Sequence, residues 1–156
     1  MGKSSGGYAL IYFATLITVL FLDLVSKELA EVYLSKTVYE PLPFLKLSLT
    51  YNKGAAFGLF ADLPEWLRVP LLVITPILAF FITLIYSRRE KDITMVGGMG
   101  LIGGGALGNL YDRLVLGRVR DFVHLHIGDF YWPAFNVADA SITTAVLLII
   151  LRYLGR

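Results

Sequence analysis

The chain has 156 residues, of which 56% are hydrophobic and only 17% are charged, whereas roughly a quarter of the residues in an ordinary soluble domain are charged. The mean hydropathy is +0.68, and the apolar residues occur in long blocks. These features exclude a disordered chain, disfavour a soluble globular enzyme and predict a membrane protein with several spans.

The scarcity of metal-binding and redox side chains narrows the chemistry further. The sequence contains no cysteine and only two histidines, His124 and His126. A disulfide, a thiolate nucleophile and a three-histidine metal site within one chain are therefore excluded. The net charge is +2 and the basic residues are dispersed, so nothing favours nucleic-acid binding. We expect neither a metal nor a cofactor.

Four segments are apolar enough to span a membrane as helices, each of which needs about 20 predominantly apolar residues. They lie at about residues 8–29, 67–86, 93–111 and 137–154. The first is interpreted as a retained span, because Asp23 and Lys27 end its apolar run where a cleaved leader would carry small residues. In the third, Gly100, Gly104 and Gly108 share one helical face and allow close packing against another helix.

Two longer segments, at about residues 30–66 and 112–136, join the spans and must lie on the same side of the membrane. Within them, residues 46–52 and 119–127 alternate apolar and polar side chains, as half-buried β-strands do. We therefore predict a single membrane domain over residues 1–156. It is mainly α, with four transmembrane helices and a small extracytoplasmic β-sheet and loop subdomain on the membrane surface.

The orientation follows from the distribution of basic residues. A short turn with the sequence Arg88-Arg89-Glu90-Lys91-Asp92 joins the second and third spans. Although further arginines lie on the opposite side, the turn has the higher density of positive charge. The positive-inside rule then predicts that the turn and both termini are cytoplasmic.

Polar residues cluster on the side of the two joining segments. Asn52 precedes Lys53-Gly54. This segment is either a simple turn or an interfacial loop beside a lipid-like substrate. Gly105, Asn109 and Arg113 share one helical face at the end of the third span. An amide at that depth needs a partner, and a guanidinium there is able to bind a carboxylate or a main-chain carbonyl.

Asp121 and Asp139 flank the point where the chain re-enters the membrane. Taken singly, Asp121 is explained as a surface residue, Asn136 as a helix cap and Asp139 as a first-turn carboxylate. Two close carboxylates, however, share a proton, because both cannot ionise readily. One can then act as a general base on water while the other polarises a peptide carbonyl, which is the chemistry of an aspartic protease.

These residues lie in motifs that resemble those of the bacterial lipoprotein signal peptidases, the signal peptidase II family. The resemblance covers nearly the whole chain in length, number of spans and order of motifs. The motifs are Asp23-Leu-Val-Ser-Lys27, Asn52-Lys-Gly-Ala-Ala-Phe-Gly, Gly108-Asn109-Leu-Tyr-Asp112-Arg113, Val119-Arg-Asp121-Phe122 and Phe135-Asn136-Val-Ala-Asp139.

The resemblance implies an intramembrane aspartic endopeptidase that removes the signal peptide from diacylglyceryl-modified prolipoproteins, just before the lipidated cysteine. It implies that Asp121 and Asp139 are catalytic and that Asp23 and Lys27 are structural or supporting. The residues implied to line the substrate site are Asn52, Gly105, Asn109, Arg113 and Asn136. The resemblance also implies the bacterial cytoplasmic (inner) membrane, an active site near its outer face, contact with membrane lipids and inhibition by the cyclic peptide globomycin.

The polar residues of the chain also allow three other interpretations. A serine–lysine protease would need Ser26 and Lys27 on one helical face, but they are adjacent in sequence. A zinc protease could use His124 and His126 but would lack a third histidine and a helical H-E-x-x-H motif. A small transporter or scaffold would carry polar residues through the depth of the membrane, whereas here they gather at one face.

Overall fold

The computed structural model describes residues 5–55, 60 and 62–155. Its four long helices are α1 (Ser5–Leu34), α2 (Glu65–Ser87), α3 (Ile93–Leu116) and α4 (Val137–Leu154). Each of these helices is long and apolar enough to cross a membrane. The prediction of a mainly helical protein with four membrane spans is therefore confirmed.

Two helices continue past the predicted spans. α1 ends at Leu34 rather than at residue 29, and α3 ends at Leu116 rather than at residue 111. Hydropathy marks the part of a helix that lies in hydrocarbon, whereas a helix continues as long as its backbone hydrogen bonds form and its charged side chains reach water or a charged partner. α3 stops at Gly117, whose φ of 68° is left-handed and ends the helix.

α3 is the central helix and packs against α1, α2 and α4. A Cβ atom on Gly100 would lie 2.7 Å from the main-chain oxygen of Tyr12, and one on Gly104 would lie 2.6 Å from that of Leu16. Gly108 lies directly against the side chain of Asp23. The predicted glycine face is thus confirmed, and it allows α1 and α3 to approach closely.

A four-stranded antiparallel sheet lies at the end of the bundle where α1 and α3 end and α4 begins. Its order is β1 (Tyr39–Leu42), β2 (Leu45–Asn52), β3 (Val119–Ile127) and β4 (Phe130–Tyr131). The two predicted strands correspond to β2 and β3. These strands pair with each other, and Thr50 of β2 lies opposite Asp121 of β3. β1 and β4 were not predicted, because four- and two-residue strands are too short to show alternation.

The opposite end of the bundle is held by a different contact. Arg152, in the last turn of α4, donates a 2.6 Å hydrogen bond to Asp92, which caps the start of α3. The two ends of the bundle therefore differ in character. One carries the sheet and the predicted site, and the other carries the short basic turn at residues 88–92.

Candidate active site

Asn136, the residue that caps α4, contacts both predicted catalytic aspartates. Its Nδ2 donates a 2.8 Å hydrogen bond to Asp121, and its main-chain nitrogen donates one of 3.3 Å to Asp139. Its Oδ1 accepts a 2.9 Å hydrogen bond from the main-chain nitrogen of Asp139, which completes a capping box. The side chain of Asn136 is fully buried, so the cap fixes both carboxylates relative to the start of the helix.

Asp121 is positioned by β3 and is only 2% exposed. Asn52, at the end of the neighbouring strand β2, donates a 3.2 Å hydrogen bond to its second carboxylate oxygen. Burial, and then the nearby charge of Asp139, raise the pKa of Asp121 to about 7. The hydrogen bonds from Asn52 and Asn136 oppose this rise in pKa. A carboxyl group with a pKa raised this far can take up or release a proton near neutral pH, as acid–base chemistry between two carboxylates requires.

Asn109 on α3 connects Asp139 to a buried lysine. Its Nδ2 donates a 2.8 Å hydrogen bond to Asp139, and its Oδ1 accepts from Asn136 at 3.1 Å and from Lys27 at 2.9 Å. An ammonium group can only donate, so the oxygen side of this amide must face Lys27. The nitrogen side is then directed at Asp139, which must present an acceptor oxygen.

Asp23 and Lys27 form a buried ion pair behind the predicted site. Their side chains are 2.6 Å apart and both are 0% exposed. Asp23 also accepts a 2.9 Å hydrogen bond from the main-chain nitrogen of Ala138, in the first turn of α4. The pair therefore joins α1 to the helix that carries Asp139. The structural or supporting role that the resemblance implies for Asp23 and Lys27 stays a prediction.

A second buried ion pair involves Asp112, whose partner is not predicted from the sequence. Arg120 on β3 binds both carboxylate oxygens of Asp112, with its Nη2 at 2.8 Å, and also contacts Glu28 at 2.7 Å. Asp112 lies 3.7 Å from Lys27, so the two pairs are continuous. The sequence signal for this pair is the position of Asp112 and Arg120 on either side of Gly117, where the chain turns from α3 into β3.

Arg113 and Gly105 lie on the same face of α3 but have different surroundings. Arg113 donates a 3.3 Å hydrogen bond to the main-chain oxygen of Gly54, while its buried Nε has no hydrogen-bond partner among the described residues. Gly105 is buried against α4, where a Cβ would lie 2.7 Å from the oxygen of Ala138. Gly105 thus holds α4 close to α3, and its contact with substrate stays a prediction.

Two grooves open on either side of Asp139. The sheet-side groove, of about 390 Å³, runs between the β4–α4 connection and α4 and is lined by Trp132, Phe135 and Thr144, among others. The α2–α4 groove, of about 320 Å³, is lined by Leu72, Pro76, Ile102 and Ile142, with Asn109 and Arg113 at the same end as Asp139. Asp139 and Thr143 belong to both grooves, which therefore meet at Asp139.

A family model described as signal peptidase (SPase) II matches residues 15–155 of this chain. The chain belongs to the signal peptidase II family. A lipoprotein signal peptidase of Aquifex aeolicus is 56% identical over 145 residues, which cover 93% of this chain and 86% of that protein. A lipoprotein signal peptidase of Burkholderia thailandensis is 36% identical over 157 residues, covering 100% of this chain and 95% of the relative.

Solved structures give the same result for the fold of this signal peptidase. A bacterial membrane enzyme solved by the in meso method at 2.3 Å resolution superposes with a TM-score of 0.82 and is 30% identical, covering 99% of this chain and 93% of the other. A second, solved by the same method at 1.9 Å, gives a TM-score of 0.81 at 27% identity, with 98% and 96% covered.

The side chains that a serine–lysine protease or a zinc protease would use have other partners in this signal peptidase. Ser26 donates to the main-chain oxygen of Asp23, and the Nε2 atom of His124 lies 2.9 Å from the main-chain oxygen of Ser48. Among residues 5–55, 60 and 62–155, no three His, Asp or Glu side chains form a group able to hold a metal ion. Residues 56–58 of the Asn52 motif lie outside the described residues.

Proposed function

We propose that this signal peptidase removes the signal peptide from diacylglyceryl-modified prolipoproteins, cleaving just before the lipidated cysteine, with Asp121 and Asp139 as the catalytic pair. The observation that carries the proposal is the contact of Asn136 with both carboxylates at the start of α4. The substrate class is supported by the relatives that are named lipoprotein signal peptidases. A peptidase accounts for this site better than the transporter or scaffold alternative.

In the proposed reaction, one aspartate is ionised and the other is protonated. The ionised aspartate takes a proton from a water molecule, whose oxygen attacks the peptide carbonyl, while the protonated aspartate donates to the carbonyl oxygen. The tetrahedral intermediate then breaks its C–N bond, and a proton passes to the leaving amine of the lipidated cysteine. The pKa of about 7 for Asp121 supports a pair that holds a single proton near neutral pH.

The neighbouring polar groups would hold the substrate in an extended form. A helical peptide bond donates and accepts within its own helix, so the scissile segment must unwind before water can attack it. Asn52, Asn109 and Asn136 surround the aspartates with amide groups, and Arg113 has a donor available at Nε among the described contacts. We assign main-chain recognition to these residues. Gly105 keeps α4 close enough to α3 for the arrangement to form.

The two grooves suit a substrate with two apolar arms. The signal peptide is an apolar helix, and the diacylglyceryl group is a pair of acyl chains, so both arms remain in the membrane while the bond between them is cut. Grooves that meet at Asp139 would bring both arms to the pair from the lipid phase.

We place the enzyme in the bacterial cytoplasmic membrane, with cytoplasmic termini and the site near the outer face. Globomycin would compete with substrate at that site.

The experiment that tests this function uses purified protein, EDTA and a synthetic prolipoprotein with or without the diacylglyceryl group. We expect the modified substrate to be cut to a product whose first residue is the lipidated cysteine, as read by mass spectrometry. The unmodified substrate should be cut far more slowly. Activity that is lost in EDTA and restored by zinc, or cleavage at another bond, would contradict the proposal. A transporter or scaffold would leave both substrates intact.

A further inference from the structure

A second cavity lies at the end of the bundle opposite to the aspartates. α1 and α2 each pack along α3 but scarcely contact one another, and a space of about 390 Å³ remains between the first turns of α1 and the last turns of α2. We call it the basal cavity. Tyr8, Tyr12 and Leu84 line its inner part, and Ser87, Arg88 and Lys91 lie toward the turn that joins α2 to α3.

The position of the basal cavity places it at the other membrane surface. Tyr8 precedes Lys27 by 19 residues on the continuous helix α1, which corresponds to about 29 Å at a rise of 1.5 Å per residue. The hydrocarbon core of a bilayer is about 30 Å thick. Because Lys27 lies beside the aspartate pair, the basal cavity opens in the headgroup region of the opposite leaflet.

The charge of the basal cavity is positive. Arg88 and Lys91 both line it, and within the described part of the chain neither side chain forms an ion pair. The lining carboxylate, Glu90, accepts hydrogen bonds from the main-chain nitrogens of Lys91 and Asp92 at 2.8 and 2.9 Å. Arg89, in the same turn, does not line the cavity.

We propose that the basal cavity binds the headgroup of an anionic phospholipid from the leaflet opposite to the aspartate pair. Arg88 and Lys91 would bind the phosphate, because guanidinium and ammonium groups are the usual phosphate partners in proteins. The tyrosines and Leu84 provide an apolar wall for the first carbons of an acyl chain. The volume lies within the range of small-molecule sites, and basic pockets between membrane helices are known lipid sites.

The test distinguishes binding of a lipid in the basal cavity from non-specific attraction of acidic lipids to the basic turn. Purified protein in neutral detergent is titrated with phosphatidylglycerol or phosphatidylcholine, and bound lipid is counted by native mass spectrometry. We expect tighter binding of phosphatidylglycerol. Arg88→Gln and Lys91→Gln should each weaken it about fivefold, the factor for ~1 kcal/mol per charge. The matched control Arg89→Gln, which removes the same charge outside the cavity, should change it less than about twofold.

A second variant tests the cavity without changing charge. Ala9→Leu adds apolar volume to the lining, so it should also weaken binding of phosphatidylglycerol, whereas general attraction predicts no effect. Equal losses in Arg88→Gln and Arg89→Gln, or equal binding of the two lipids, would overturn the proposal. Displacement of the lipid by an equal concentration of glycerol 3-phosphate would also overturn the proposal, because the cavity would then bind a water-soluble phosphate compound rather than a lipid. The readout is lipid binding, so it is independent of peptidase activity.

Discussion

Lys27 on α1 donates a 2.9 Å hydrogen bond to Asn109 on α3, and the opposite end of the same amide donates to Asp139 on α4. Lys27 can only donate, so it fixes which way the Asn109 amide points. A fully buried cation thus orients the group that contacts one of the two proposed catalytic carboxylates. Three helices contribute to one chain of hydrogen bonds, and the position of Asp139 depends on all three.

Replacing Lys27 by methionine is expected to disturb both catalysis and stability. The Asn109 amide loses the donor that fixes its orientation, and misplacement of a catalytic group by about 1 Å costs roughly 100-fold in rate. We therefore expect kcat to fall by about that factor while KM changes little. The unfolding temperature should also fall, because removing one partner of a buried ion pair costs about 3–5 kcal/mol.

The double variant Asp23→Asn with Lys27→Met separates the two effects. It removes the ion pair as a unit, and the substituted asparagine keeps an oxygen that can accept from the main-chain nitrogen of Ala138, so most of the lost stability should return. The kcat should remain low, because Asn109 still lacks its donor. Recovery of kcat in step with the unfolding temperature would mean that Lys27 acts only on stability.

The raised pKa of Asp121 predicts a pH-dependent stability. Its folded-state pKa of about 7 lies above the ordinary value of 3.8, so the folded state holds this proton more tightly than the unfolded state. The stabilisation is complete below about pH 4 and is lost as the pH rises through about 7. Asp121→Asn has no carboxyl group to titrate at this position. The unfolding temperature of the variant minus that of the wild type should therefore increase between about pH 4 and about pH 7. Parallel curves for wild type and variant would contradict the assigned shift.

Gly105→Ala is expected to reduce activity by separating α4 from α3. The added Cβ would lie 2.7 Å from the oxygen of Ala138 and 2.8 Å from the side chain of Ile142, so α4 must shift and carry Asp139 with it. We expect a roughly 10- to 100-fold loss of kcat/KM and a destabilisation of about 1–3 kcal/mol. Gly97→Ala on the same helix is the control, because its Cβ meets nothing within 4 Å. Equal activity in the two variants would remove this role for Gly105.

The sequence predicts the spans because membrane insertion requires continuous apolar runs, and it predicts β2 and β3 because each is long enough to show alternation. It does not predict the helix ends at Leu34 and Leu116, since charged residues interrupt the apolar pattern before each helix ends. The Lys27–Asn109 contact joins residues 82 positions apart, and such a contact depends on how α1 and α3 pack. Motifs identify which residues matter, whereas only the fold identifies what each one contacts.

The most direct test of the central claim compares three aspartate-to-asparagine variants on the same lipidated prolipoprotein in EDTA, with product identified by mass spectrometry. Asparagine keeps the size and part of the hydrogen bonding of aspartate but cannot take a proton from water or share one with its partner. Asp129 is exposed at the β3–β4 turn, away from the pair, so Asp129→Asn should cleave at the wild-type rate. Asp121→Asn and Asp139→Asn should remain folded and bind globomycin but form no product. Cleavage by folded Asp139→Asn at a near wild-type rate would contradict the account.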